Sequence, residues 1–142
     1  MILTPHLLLG AVIATKIEYA PLAIILAFLS HYLLDLIPHI EYPINNIEKK
    51  QWQKSLPDFL RVFLDFSFGM LLTLMLSNNQ PIVFVCAFFA ILPDGLSFLN
   101  YFFSNKVLKI YHNIHHKKIH FLKYKKISIS WRILSQILVI FI

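Results

Sequence analysis

Apolar and polar positions divide the chain into five greasy runs, 3–15, 21–38, 58–76, 82–103 and 127–142, and each predicts a helix. In the first run Thr4 stands at an N-cap position and Pro5 at the first helical position, where its missing N–H costs nothing. Thirteen residues rise only about 20 Å, short of a ~30 Å hydrocarbon core. That run is therefore expected as a short tilted span or a re-entrant segment. Gly10, Ala11 and Ala14 give it a small-residue side for close helix contact. Leu92-Pro93-Asp94-Gly95 predicts a kink or break in the fourth run, and the last run is marginal in length for a span.

The pattern changes at the end of the second run, Ser30-His31-Tyr32-Leu33-Leu34-Asp35-Leu36-Ile37-Pro38-His39. His31, Asp35 and His39 recur every four residues, and on a helix that spacing holds them to one face. A carboxylate in hydrocarbon costs about 2.5–3.5 kcal/mol on insertion scales, so Asp35 should face protein, water or a metal ion. Imidazole with carboxylate suits Zn, Mn or Fe. The bland alternative is a helix end with two interfacial histidines and a capped Asp.

Composition supports a membrane setting. Hydrophobic residues make up 58% and charged ones 14%, against about 25% charged in an ordinary soluble domain. Mean hydropathy is +0.67. The single cysteine, Cys86, excludes an internal disulfide and a cysteine-based zinc site, and is expected to serve packing. No Lys or Arg precedes the first apolar run, so a cleaved signal peptide is not expected.

The net charge of +6 matters less than its placement. With five crossings, twelve of the thirteen Lys and Arg residues fall on the side of residue 1: Lys49, Lys50, Lys54, Arg61, Lys106, Lys109, Lys117, Lys118, Lys123, Lys125, Lys126 and Arg132. Lys16 alone falls on the other. The positive-inside rule then makes the N-terminal side cytoplasmic, and it explains the lysines more simply than nucleic-acid binding does. The same topology gathers His6, His31, Asp35, His39, Asp65 and Asp94 into one half of the membrane, beside the basic, histidine-rich stretch 104–127.

Each candidate has a plain alternative. His39 follows Pro38 and fits an interfacial histidine; Asp65 can pair with Arg61 four residues earlier; Asp94 can cap a broken helix. His112, His115 and His116 share a face if helical, which suits either a metal site or a surface helix on anionic headgroups, and His120 fits the basic surface. No Gly-rich phosphate loop, serine elbow or paired-cysteine motif is present.

Thr-Pro-His-Leu-Leu-Leu-Gly-Ala at 4–11, Ser-His-Tyr-Leu-Leu-Asp-Leu-Ile-Pro-His at 30–39 and Leu-Pro-Asp at 92–94 resemble motifs of the membrane-bound, metal-dependent hydrolase family. That family is also called the LexA-binding, inner-membrane-associated hydrolases. The resemblance implies His6, His31, Asp35 and Asp94 as metal-site residues. Where that family continues Leu-Pro-Asp with a second Asp and a His, this chain has Gly95-Leu96-Ser97. Asp65 and the histidines of 112–116 are the expected replacements.

The sequence thus predicts an all-α, polytopic integral membrane bundle of four or five spans in the inner membrane, with a cytoplasmic N-terminus. The expected function is hydrolysis of a phosphoester or other lipid-linked substrate at the cytoplasmic face, with anionic headgroups held by Lys117 and Lys118. His6, His31, Asp35, His39, Asp94, His112 and His115 are the expected ligands of a divalent metal, and Asp65 and His116 the expected catalytic residues. A metal or proton transporter, and a non-catalytic partner-binding protein, are the alternatives.

Overall fold

The computed structural model describes residues 2–37, 39, 41–103, 105–118 and 128–140, the side chains of 116–118, 129 and 137–140 excepted. All regular structure among these residues is helical: α1 (Thr4–Lys16), α2 (Ala20–Leu36), a single turn α3 (Asn45–Glu48), a 3-10 turn (Trp52–Lys54), α4 (Leu56–Leu76), α5 (Pro81–Phe102), α6 (Lys106–Lys118) and α7 (Ile129–Ile140).

The shortest of the apolar runs turns out to be the hub. α1 packs against α2, α4 and α5 and also touches α7. Its small residues make this possible. A methyl group added at Gly10 would lie 2.7 Å from the Cys86 carbonyl oxygen and 2.8 Å from Ala90 Cβ. At Gly69 of α4 an added methyl would lie 3.1 Å from Thr4 Cα. The buried core between α1, α2 and α5 is Ala11, Ala14, Ala23, Ala27, Val83, Cys86 and Ala90. Cys86 lies fully buried within it.

Large apolar side chains point the other way. Leu22, Ile25, Leu26, Leu29 and Leu33 are exposed on α2, and Leu60, Phe63, Leu64, Leu71 and Met75 on α4. Among the described residues two helices, α4 with 21 residues and α5 with 22, are long and apolar enough to cross a membrane. α2, with 17, is apolar but shorter.

Local structure departs from expectation in two places. α5 is not interrupted: it runs helically through Pro93, which is buried. One proline removes one hydrogen bond, and packing on both sides outweighs that loss. Thr4 is not the N-cap of α1. Leu3 is, and it offers no side-chain cap.

The cap comes instead from α4. Asp65 accepts hydrogen bonds from the backbone N–H of Leu3 and of Thr4, and from the Thr4 hydroxyl at 2.7 Å. A carboxylate at that end also meets the positive end of the helix dipole. Asp58, one helical stretch earlier, does the same for α3: it accepts from Asn46 N at 2.8 Å and Ile47 N at 3.3 Å. Arg61 bridges Asp58 (3.0 Å) and the Pro43 carbonyl (3.1 Å), pinning the 41–48 segment over the end of α4.

If α1 is seated by close contact at Gly10, Gly10→Ala should destabilise the protein by about 1–3 kcal/mol through overpacking. Gly95→Ala, where an added methyl meets nothing within 4 Å, should be neutral or stabilise by up to about 1 kcal/mol. Thermal unfolding of the two variants in detergent measures both, and equal melting temperatures would contradict the tight seat.

Candidate metal centre

Four helices each bring a polar side chain to one point. The i, i+4 spacing on α2 sets His31 and Asp35 on its inner face, with Nε2 of His31 3.1 Å from Asp35 Oδ2. α5 adds Asp94, the residue after Pro93, whose Oδ1 lies 3.6 Å from His31 Nε2. α6 adds His115, whose Nε2 lies 3.4 Å from Asp35 Oδ2 and 3.3 Å from Asp94 Oδ1. His31, Asp35, Asp94 and His115 form a group that can hold a metal ion, with one ligand atom from each and all four atoms within 4.8 Å of one another. α1 places His6 alongside, with Nε2 3.5 Å from Asp35 Oδ1.

The donor set fits a cation on three counts. First, ligands held about 2.0–2.2 Å from a tetrahedral ion lie about 3.4 Å from each other; four of the six donor pairs lie at 3.1–3.6 Å, near that spacing, and all six lie within 4.8 Å. Second, His31 Nδ1 lies 2.7 Å from the Ala90 carbonyl oxygen. A carbonyl only accepts, so Nδ1 carries a proton, and in its neutral form His31 would turn the Nε2 lone pair toward the two carboxylates and any ion between them. That Nε2 and Asp94 Oδ2 are buried without a hydrogen-bond partner. Third, one divalent charge would balance the two carboxylates with the imidazoles neutral. His31 and Asp35 are fully buried or nearly so, where an uncompensated charge is costly.

Contacts behind the four side chains set their orientation. The hydrogen bond from His31 Nδ1 to the Ala90 carbonyl fixes the ring's tautomer. His115 stacks on Tyr111 with ring centroids 5.8 Å apart. The Tyr111 hydroxyl lies 3.1 Å from that of Tyr32, which docks α6 on α2. Nothing in the sequence singled out these three partners.

Of the residues expected at the site, His31, Asp35, Asp94 and His115 come together and His6 lies beside them. Asp65 does not join them: its carboxylate caps α1 and accepts from the Tyr42 hydroxyl at 3.4 Å. Arg61 is not its partner, because Arg61 pairs with Asp58. His39 lies next to Glu41, Nε2 to Oε1 3.5 Å, with Nδ1 2.8 Å from the Ile37 carbonyl oxygen. His112 packs edge-on against Tyr101. Burial and then the neighbouring His115 pull its imidazole below the ordinary value. The side chains of His116, Lys117 and Lys118, and all of His120, Lys123, Lys125 and Lys126, lie outside the described residues.

Two openings reach the group. A crevice of about 20 Å³ is lined by His6, Leu34, Ile37 and His39. A larger cleft of about 370 Å³ between α4 and α5 has Asp94 in its wall.

Comparisons with known protein families, with curated proteins and with solved structures give no match. The family resemblance therefore rests on its short motifs alone.

His39 is pulled down by burial, but its contacts with Glu41 and the Ile37 carbonyl prevail and raise it above 6.5. The stabilisation it lends is complete below that unfolded value and is lost as pH rises through the raised one. Glu41→Gln should shift the His39 titration, followed by NMR, to lower pH; an unmoved midpoint would remove Glu41 as its partner.

Proposed function

We propose that this protein is a multi-pass inner-membrane, metal-dependent hydrolase acting on a phosphoester or other lipid-linked substrate at the cytoplasmic face. The observation that carries the reading is the convergence of His31, Asp35, Asp94 and His115 from three helices within 4.8 Å. Two carboxylates and two imidazoles share one point there, and Asp94 Oδ2 is buried without a hydrogen-bond partner, which supports a cation over a set of purely structural contacts. Imidazole and carboxylate together favour Zn, Mn or Fe.

A membrane setting is supported by the inverted distribution of size. Alanines, glycines and polar groups occupy the interior, while leucines and phenylalanines face outward along α2 and α4. Helices that associate in lipid use small residues at their contacts, since lipid offers no hydrophobic force to drive them together. The twelve-to-one placement of Lys and Arg supports a cytoplasmic N-terminus. Asp94 stands eight residues before the end of α5, about 12 Å along the helix axis from that end. This depth suits a headgroup better than the bilayer centre.

A bound divalent ion would supply Lewis-acid activation of a water and of a substrate oxygen. Asp35 and Asp94 hold the charge, and the Ala90 carbonyl keeps His31 Nε2 directed at the shared point. His6, beside the four ligands rather than among them, is placed to accept a proton. His6 also lines the small crevice, about 20 Å³, which has room for one water to carry the proton away.

Asp35→Asn tests the reading. It keeps shape but removes charge, so metal affinity should fall by more than the roughly 10–100-fold typical of outer-shell changes, and hydrolysis of lipid phosphoesters should fall with it. Metal analysis of the purified variant decides: unchanged occupancy removes Asp35 from the site. Metal-independent proton flux in liposomes, lost in the same variant, would favour transport instead.

The topology is tested separately. In a Cys86→Ala background, cysteines placed at Lys49 and Asn79 should react with impermeant reagents from opposite sides of the membrane. Labelling of both from one side would overturn the assignment.

A further inference from the structure

The cleft between α4 and α5 is walled by Phe59, Val62, Phe63 and Phe66 on one side and Ile91 and Phe98 on the other. α4 and α5 follow one another in the chain yet touch sparsely, so a gap persists between them. At about 370 Å³ it lies in the range of ligand sites. Two polar features interrupt its apolar wall. Asp94 is shared with the metal centre, and Ser97, 4% exposed, has a buried hydroxyl with no hydrogen-bond partner.

Gly95, between them, is unlike the other two glycines. Gly10 and Gly69 are small because neighbouring atoms would collide with a side chain. At Gly95 an added methyl meets nothing within 4 Å, and its φ is not positive. Neither packing nor backbone conformation asks for glycine, although glycine in a helix interior costs about 1 kcal/mol against alanine. What its bare backbone preserves is open space in the cleft, next to a metal-centre carboxylate.

We infer that this cleft seats the hydrocarbon chain of the substrate, a single-chain or chain-splayed amphiphile with an anionic phosphoester head. The head reaches the metal centre past Asp94, and the Ser97 hydroxyl donates to one of its oxygens. This rests on the hydrolase reading. A chain gains no hydrophobic energy in passing from lipid to an apolar cleft, so selectivity has to come from the head. Without a cation, Asp35 and Asp94 would repel an anionic head; with one, they hold the charge that attracts it.

Photolabelling in nanodiscs tests this without requiring turnover. The probes are dodecyl phosphate and dodecanol, each carrying a terminal diazirine, with labelled residues mapped by mass spectrometry. Dodecyl phosphate should label Phe59 or Phe98 in preference to dodecanol by about tenfold or more, the ratio one charge-assisted contact supplies. Chelation of metal should abolish the preference. Gly95→Phe, or Val62→Trp from the opposite wall, should abolish cleft labelling with metal content retained, whereas Gly95→Ala should keep it.

Labelling confined to the outward residues Leu60, Leu64 and Leu71, or equal for both probes, would overturn the inference. So would cleft labelling indifferent to both blocking variants. Hydrolysis of the water-soluble p-nitrophenyl phosphate separates the two readings. Retained hydrolysis without cleft labelling defeats the cleft and leaves the hydrolase. Head-selective, metal-dependent cleft labelling with no hydrolysis of any ester supports the cleft and defeats the hydrolase.

Discussion

Two carboxylates held close together away from water are the constraint on which this protein turns. Asp35 and Asp94 approach the same histidine nitrogens, His31 Nε2 and His115 Nε2, within 3.1–3.6 Å. Isolated, such charges would neutralise themselves by taking up protons or would unfold their surroundings. The structure meets the constraint with imidazoles arranged around a common point and with a backbone carbonyl that dictates which nitrogen of His31 is bare. Small residues along α1 then let the helices that carry these groups come close enough to converge.

The organisation of charged groups divides into two tiers with different duties. Asp58 and Asp65 are spent on backbone amides, holding the 41–48 segment and the start of α1 respectively. Asp35 and Asp94 face histidines. Residues of one chemical type thus act as scaffold in α4 and as candidate ligands in α2 and α5. The scaffold tier also reaches the cleft, since the segment pinned by Asp58 and Arg61 carries Tyr42 and Ile44 to its rim.

Much of the site was legible because helical periodicity is local. His31 and Asp35 four apart, and an unexplained carboxylate after Pro93, announce themselves without any knowledge of tertiary structure. His115 was separable from His112 only by knowing which way α6 faces, and the Tyr111–Tyr32 contact that fixes this joins residues far apart in the chain. Asp65 was misleading for the opposite reason. A lone carboxylate in an apolar helix reads as functional, yet the need it answers belongs to the start of another helix, whose own cap residue, Leu3, has no side-chain acceptor. The helices in the five apolar runs were legible from hydropathy, whereas α3 and α6 lie in polar stretches; the small-residue side of α1 pointed to close contact, but not to three helices meeting on it.

The reach of Asp65 back to Leu3 and Thr4 also bears on the order of assembly. α1 emerges from the ribosome before α4, and the acceptor for its first amides is sixty-one residues behind Thr4. α1 therefore cannot be locked in place while it is being made; it waits for α4. His115 arrives later still, on α6. The group His31, Asp35, Asp94 and His115 is consequently complete only once α6 has followed α2 and α5 out of the ribosome, so its four side chains cannot converge while the earlier helices are being made.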